Sequence, residues 1–217
     1  MTIKLYYHPL SSYCWKALIA LYENDTPHEK VLVNLGDEAS RADFLKVWPL
    51  GKFPVIEDTA RDWFVPESSI IIEYLDDHYP GSTRFIPTDM DKAREVRMRD
   101  RFFDLHVQVP MQHIMADRWR AEADKDRIGV ENMRKRITTA LDMIESDVGP
   151  NWAMGDDFTM ADIAAVPALF YANLAMPFGN ARPKTLAYLE RLKKRPSVAR
   201  TLKEAAPVFK DVFGLEI

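Results

Sequence analysis

The sequence predicts a small α/β domain followed by an all-helical domain. Up to about residue 80, short runs rich in Val, Ile, Tyr and Phe alternate with helical patterns. Beyond residue 90, the apolar residues recur almost throughout with the spacing of an amphipathic helix. The length of 217 residues accommodates one large domain or two small ones. We therefore predict an α/β domain over residues 1–79, a linker over 80–89 and a helical domain over 90–217.

The elements predicted for the first domain alternate in type along the chain. They are a strand at 3–7, a helix after Ser11 and Ser12, a strand at 31–33, a helix at 40–47, strands at 53–57 and 63–65, and a helix from Ser68. The strand–helix–strand unit requires a crossover, whereas the last two strands form a hairpin. The expected result is a mixed sheet.

The second domain begins with a long helix from Asp89, in which Pro110 is expected to cause a bend. Further helices are predicted around 133–144, 160–176, 184–194 and 197–206. Thr159 and Asp162 have the spacing of a capping box at the start of one of these helices. We interpret Asp162 as a structural residue, not as a catalytic acid or base.

Composition and charge limit the classes of partner and site. A net charge of −4 gives no general attraction to nucleic acid or to anionic lipid, and no apolar run approaches the ~20 residues of a membrane span. The chain starts directly as a strand and has one cysteine, so we expect no disulfide within the chain and a cytoplasmic location. The five histidines lack metal-binding spacing, so we expect no metal site.

Three segments of the first domain carry side chains suited to a ligand. Ser11 and Ser12 begin a helix, where a hydroxyl and the helix dipole favour an anion. The run of residues 51–55 has Pro54 at the entry of a strand, which predicts an edge, a bulge or a cis bond and leaves the backbone of Val55 free to pair with a ligand. Glu67 precedes the helix start at Ser68, and a carboxylate beside an anion site suggests a zwitterionic ligand.

Taken in order, these segments resemble the cytosolic glutathione transferase family over essentially the whole chain. The resemblance rests on four runs: Lys4-Leu5-Tyr6-Tyr7 before a Ser-containing helix start, Gly51-Lys52-Phe53-Pro54-Val55, Glu67-Ser68-Ser69-Ile70-Ile71, and Phe158-Thr159-Met160-Ala161-Asp162. It implies a thioredoxin-like first domain, a helical second domain and a homodimer.

The resemblance also implies glutathione as co-substrate. Residues 52–55 (Lys52, Phe53, Pro54 and Val55) correspond to the cis-proline element of the family. Val55 would pair its backbone with the cysteinyl part of glutathione, and Lys52 would pair with the glycine carboxylate. Glu67 and Ser68 would hold the γ-glutamyl group.

The residue that activates the thiol is Ser11 when the run is matched to the zeta-type pattern and Ser12 when it is matched to the beta-type pattern. Cys14 ranks third, as a low-pKa thiol or a small buried hydrophobe. The zeta-type cations are replaced by Leu10 and Lys16, which argues against a maleylacetoacetate isomerase.

We expect a Ser-type glutathione transferase that adds the glutathione thiolate to small hydrophobic electrophiles. The electrophile pocket is predicted between the domains, with five candidate walls: His8, Tyr13, Met111, Met115 and Trp119. Two alternatives stay open. One is a glutathione-binding or scaffold protein without turnover. The other is a glutathione-dependent isomerase or reductase, the latter acting through a mixed disulfide on Cys14.

Overall fold

The computed structural model describes residues 3–217, which form two compact units. The first unit comprises residues 3–85 together with Arg195–Ile217, and the second comprises Ile86–Lys194. The end of the chain therefore groups with the α/β part, whereas the sequence assigned residues up to 217 to the helical domain. No helix within residues 3–217 is long and apolar enough to cross a membrane.

The first unit is built on a four-stranded mixed sheet in the order β2-β1-β3-β4. The strands are β1 (Ile3–Tyr7), β2 (His28–Leu32), β3 (Val55–Asp58) and β4 (Trp63–Pro66). Strand β1 is parallel to β2 and antiparallel to β3, and β3 and β4 form the predicted hairpin. The second strand begins three residues before the predicted 31–33. Its first residues are polar, so a search for apolar runs does not detect them.

Four helices complete the first unit, namely α1 (Ser12–Glu23), α2 (Glu38–Val47), α3 (Ser68–His78) and α9 (Pro196–Phe213). Helix α1 packs against both α3 and α9 and is buried along most of its length. This continuous burial supplies much of the core that a domain of about 80 residues would otherwise lack.

Helix α9 is longer than the predicted 197–206. It continues through Pro207 to Phe213 and ends at Gly214, which adopts the left-handed conformation. Two partly buried hydrogen bonds connect α9 to α1. The Ser197 hydroxyl donates to the Glu23 carboxylate at 2.6 Å, and the Tyr22 hydroxyl donates to Glu204 at 2.6 Å. These contacts explain why the helix belongs to the first unit.

The second unit is all-helical, as predicted. Its α-helices are α4 (Met90–Phe102), α5 (Val109–Arg118), α6 (Arg127–Asp147), α7 (Met160–Ala175) and α8 (Pro183–Lys194). Between α4 and α5 the chain forms a π-helical segment at Phe103–Gln108, which ends two residues before Pro110 of α5. Proline lacks an N–H and its ring crowds the preceding turn, so the wider π turn accommodates it where the sequence predicted a bend.

The capping box at the start of α7 is confirmed. The Asp162 carboxylate accepts from the Thr159 N–H at 2.9 Å and from the Ala153 N–H at 2.7 Å. It also accepts from the Tyr188 hydroxyl at 2.6 Å, which links α7 to α8. Asp162 is fully buried, and these three donors together with the Thr159 hydroxyl at 3.3 Å assign it the structural role that the sequence predicted.

Candidate functional site

The sheet register brings the three candidate segments of the first unit to one end of the sheet. Tyr6 of β1 pairs with Val55 of β3, and Val55 pairs on its other side with Pro66 of β4. Because neighbouring strands lie about 4.8 Å apart, this row spans roughly 10 Å. The segments at residues 8–11, 53–54 and 67–68 all leave the sheet at this end.

The loop after β1 holds Ser11 in a defined position. The Ser11 N–H donates to the His8 carbonyl at 3.0 Å, closing a turn with Pro9 at its second position. The Trp15 indole N–H donates to the Pro9 carbonyl at 2.7 Å and ties the turn to α1. Ser11 is the N-cap of α1, and its hydroxyl oxygen accepts from the Cys14 N–H at 3.3 Å. A serine hydroxyl that accepts at its oxygen can still donate its own hydrogen, in this case either to the Cys14 sulfur or to a ligand.

Ser12 and Cys14 are less suited than Ser11 to meet a ligand. Ser12 is the first residue of α1 and is buried, whereas Ser11 is partly exposed. Cys14 is fully buried, and this burial raises the pKa of its thiol to about 12 despite a hydrogen bond from Ser11. A buried, protonated thiol matches the prediction of a small buried hydrophobe and does not suit a redox nucleophile.

The Phe53–Pro54 peptide bond is cis. Val55, which follows it, is fully buried within β3 and has a strand on each side. The expectation that its backbone is free to pair with a ligand therefore does not fit this register. Phe53 lies before the cis bond and outside the strand, two residues ahead of Val55. The preceding turn depends on Gly51, whose φ of 62° is costly for any other residue except Asn or Asp.

The junction of β4 and α3 contains a strained residue. Glu67 has a φ of 69° and ψ of 116°, a conformation that costs a non-glycine residue about 1–3 kcal/mol. Ser11 caps α1 and Asp37 caps α2, but within residues 3–217 the Glu67 side chain makes no capping hydrogen bond to α3. The first turn of α3 thus begins with a buried hydroxyl residue, Ser68, and with the positive end of the helix dipole.

Lys16 is a feature of this region that sequence reasoning did not identify. Its side chain is fully buried, and its ammonium donates to the Ser69 hydroxyl at 2.9 Å. The sequence analysis considered Lys16 only as the replacement of the zeta-type arginine, which argues against the isomerase, and did not predict that its side chain is buried. The signal was present, because Lys16 stands within the apolar run from Trp15 to Leu21. A lysine is almost never fully buried unless it is paired.

The His8 ring lies between the loop after β1 and the cis-proline segment. It stacks on the Phe53 ring, with centroids 6.0 Å apart and planes at 18°. Its Nδ1 accepts from the Leu10 N–H at 3.2 Å. Burial lowers the pKa of His8, so its neutral form dominates at neutral pH.

The other predicted binding residues are distributed over both units. Lys52 is exposed, and Tyr13 is partly buried in the first turn of α1. In the second unit Met111 is buried, Met115 is partly exposed and Trp119 is 70% exposed. A cavity of about 450 Å³ in the second unit has Met98, Phe102 and Met143 among its lining residues and none of the predicted walls. The predicted electrophile pocket thus stays a prediction.

This end of the sheet offers hydroxyl groups, the first-turn N–H groups of α3 and, at Phe53, backbone that lies outside the strands. Such groups suit a ligand with anionic and peptide-like parts. Across residues 3–217 no group of three or more His, Cys, Asp or Glu side chains is arranged to hold a metal ion.

Comparison with known proteins gives consistent results for both units. Residues 5–83 match the family described as glutathione S-transferase, N-terminal domain, and residues 117–200 match the corresponding C-terminal domain. Glutathione S-transferase F6 of Arabidopsis thaliana is 27% identical over 92% of this chain and 99% of its own length. Glutathione S-transferase Z2 of the same plant is 28% identical over 94% and 92%.

A solved structure shares the architecture. The glutathione S-transferase of Methylobacillus flagellatus, crystallised with glutathione bound, superimposes with a TM-score of 0.83 at 26% identity. The match covers 92% of this chain and 98% of that one. The resemblance stated from the sequence is therefore supported over both units.

Proposed function

Because this chain belongs to the glutathione transferase family, we propose that it binds glutathione at the shared end of β1, β3 and β4 and activates the thiol with Ser11. The observation that carries this proposal is the row of Tyr6, Val55 and Pro66 across the sheet. It brings a hydroxyl at a helix start, a cis-proline and a strained acidic residue to a common end of the sheet.

Each segment suits a different part of glutathione. The buried Ser68 hydroxyl and the N–H groups of the first turn of α3 suit the γ-glutamyl carboxylate, and the Glu67 carboxylate suits the amino group. Lys52 is exposed, and its ammonium suits the glycine carboxylate. The arrangement pairs each charged group of the ligand with an opposite charge or dipole.

We assign the cysteinyl backbone of glutathione to Phe53 and not to Val55. Val55 has a paired strand on each side, whereas Phe53 precedes the first residue of β3. An extended peptide that adds to this end forms backbone hydrogen bonds in the manner of an added strand. The cis Phe53–Pro54 bond lies between Phe53, which is outside the sheet, and Val55, which is within it.

The chemistry required of Ser11 is modest. A free thiol has a pKa near 8.5, and lowering it by one unit requires about 1.4 kcal/mol of preference for the thiolate. One hydrogen bond to a charged group contributes roughly this amount, and the N-terminus of α1 adds to it. Ser12 is the second choice, because its hydroxyl is buried.

The proposed reaction is attack of this thiolate on small hydrophobic electrophiles, with His8 and Tyr13 of the first unit as walls of the electrophile site. A reductase that uses Cys14 is disfavoured by the burial and raised pKa of that thiol. Binding without turnover requires the same glutathione site, so it is separated from the transferase by activity alone.

The test is conjugation of glutathione with 1-chloro-2,4-dinitrobenzene by the wild type and by matched Ser11→Ala and Ser12→Ala variants. We expect Ser11→Ala to lower kcat about 10- to 1000-fold while glutathione affinity changes little. Ser12→Ala is the control and should retain most of the activity. Glutathione binding without turnover in the wild type would instead establish the non-catalytic alternative.

We also propose that the chain forms a homodimer, as is typical of the family. In the first unit the edge strand β4 exposes Trp63 and Phe64, and Ile70 of α3 is 53% exposed. Exposed apolar side chains on an edge strand and on a helix in contact with it favour a partner surface. Sedimentation equilibrium measures the mass directly, and a 25.0 kDa species at micromolar concentration would contradict the dimer.

A further inference from the structure

The tautomer of His8 is fixed by its surroundings. The Leu10 N–H donates to Nδ1 at 3.2 Å, so this nitrogen carries no proton. A neutral imidazole has one protonated and one bare nitrogen, so the proton is on Nε2. Half-burial of the ring favours this uncharged form. His8 therefore presents an N–H donor of known position and no charge.

This donor is available to a ligand. Within residues 3–217 the Nε2 of His8 has no hydrogen-bond partner, although every other polar group of this residue is engaged. The His8 N–H contacts the Cys14 sulfur at 3.5 Å, and its carbonyl accepts from Ser11. The ring is held against Phe53, on the segment proposed to bind the cysteinyl part of glutathione.

We propose that His8 is a specificity-determining residue whose Nε2–H donates a hydrogen bond to a carbonyl oxygen of the electrophile, so that the enzyme favours α,β-unsaturated carbonyl compounds. This inference rests on the proposed function, since it assumes that the thiolate forms beside Ser11. It goes further by naming a substrate class and the group that recognises it.

The proposed step has a simple electron balance. The glutathione thiol has already lost its proton to solvent, and the thiolate sulfur forms a bond to the β-carbon of the enone. The C=C π bond breaks and its electron pair shifts toward the carbonyl oxygen, where negative charge accumulates. The Nε2–H donates to that oxygen and keeps its proton, and the α-carbon then takes a proton from water. A donor aimed at developing charge lowers the barrier of this step.

The experiment uses two substitutions of His8, each of which keeps the hydrogen-bonding role of one ring nitrogen and removes that of the other. In His8→Asn the side-chain oxygen can replace Nδ1 as acceptor for Leu10, but the Nε2 donor is lost. In His8→Gln the amide N–H can replace the Nε2 donor, but the acceptor for Leu10 is lost. Each variant is assayed with trans-4-phenyl-3-buten-2-one, which carries the carbonyl, and with benzyl chloride, which lacks one. Thermal unfolding checks that both variants fold.

For the enone we expect His8→Asn to lower kcat/KM about 10- to 100-fold and His8→Gln to retain most of it. Because benzyl chloride has no carbonyl, His8→Asn should lose less activity with it than with the enone, so the ratio of enone to benzyl chloride kcat/KM should fall about 10-fold in His8→Asn and stay near the wild-type ratio in His8→Gln. The inference is overturned if His8→Asn keeps its enone activity, or if both variants lose equally with both electrophiles. In the latter case His8 acts through the Ser11 loop. If the wild type binds glutathione but conjugates neither compound, the proposed function itself fails and the inference fails with it.

Discussion

The Lys16 ammonium donates to the Ser69 hydroxyl at 2.9 Å, which joins the second turn of α1 to the first turn of α3 inside the first unit. The two helices begin at Ser11 and Ser68, the residues proposed for the thiol and for the γ-glutamyl group. A fully buried charge loses its hydration and requires partners in return. The contact therefore couples the two halves of the proposed glutathione site through the interior of the protein.

Removing this contact should weaken glutathione binding more than catalysis. We expect Lys16→Met to raise the glutathione Kd about 10-fold, since a contact of this kind contributes about 1–2 kcal/mol and acts through the position of Ser68. Ser69→Ala, which removes the acceptor alone, should change the Kd in the same direction. Titration calorimetry measures both. Lys46→Met, at an exposed lysine, is the control. An unchanged Kd in Lys16→Met would show that the contact only supports the fold.

The strain at Glu67 predicts that relieving it stabilises the protein while weakening glutathione binding. Glycine adopts a positive φ without the side-chain penalty, so Glu67→Gly should raise the free energy of unfolding by up to about 1 kcal/mol. The same substitution removes the carboxylate proposed to hold the amino group of glutathione, so its Kd should rise. Glu67→Gln is the matched variant, because it keeps the strain and loses only the charge. A lower melting temperature in Glu67→Gly than in Glu67→Gln would contradict the assignment of strain.

Asp58 at the end of β3 predicts a pH dependence of stability. Its carboxylate has no exposed surface and accepts from the Tyr74 and Tyr79 hydroxyls at 2.6 Å and from Arg61 at 3.0 Å. Burial alone would raise its pKa, but these donors outweigh it and hold the pKa at about 2. Since the unfolded value is near 3.9, the stabilisation is complete above that pH and is lost as the pH falls toward 2.

Urea unfolding at pH 7 and at pH 3 tests this dependence. We expect Asp58→Asn to lower the free energy of unfolding at pH 7 by about 2–3 kcal/mol, because hydrogen bonds to a charged group are lost. The difference between variant and wild type should shrink at pH 3, where the wild-type carboxylate has lost part of its contribution. A difference that stays constant between the two pH values would contradict the assignment.

The sequence predicted those parts of the molecule that depend on local chemistry. Helix starts were predictable because serine and threonine hydroxyls cap them, as at Ser11 and Thr159. The hairpin of β3 and β4 was predictable from the turn residues between the two strands. An edge, a bulge or a cis bond was predictable at Pro54, because proline has no N–H to donate. The candidate segments could be assembled because a family resemblance connected them across the chain.

The remaining features depend on contacts between distant residues. Val55 was expected to be free at its edge, since strand order and register are not visible in a single strand. Helix α9 was expected over residues 197–206 only, because its packing on α1 is not visible in its own sequence. The His8 tautomer required the position of the Leu10 N–H, and Lys16 required a view of its burial.

The most direct test of the account is the ultraviolet absorbance of glutathione thiolate when glutathione is bound at neutral pH, measured for the wild type, Ser11→Ala and Ser12→Ala. Calorimetry in parallel establishes that each protein is saturated. We predict a thiolate band with the wild type and with Ser12→Ala, and its loss in Ser11→Ala with binding retained. A band that persists in Ser11→Ala, or saturated wild type with no band, would contradict the assignment of Ser11 as the activating residue.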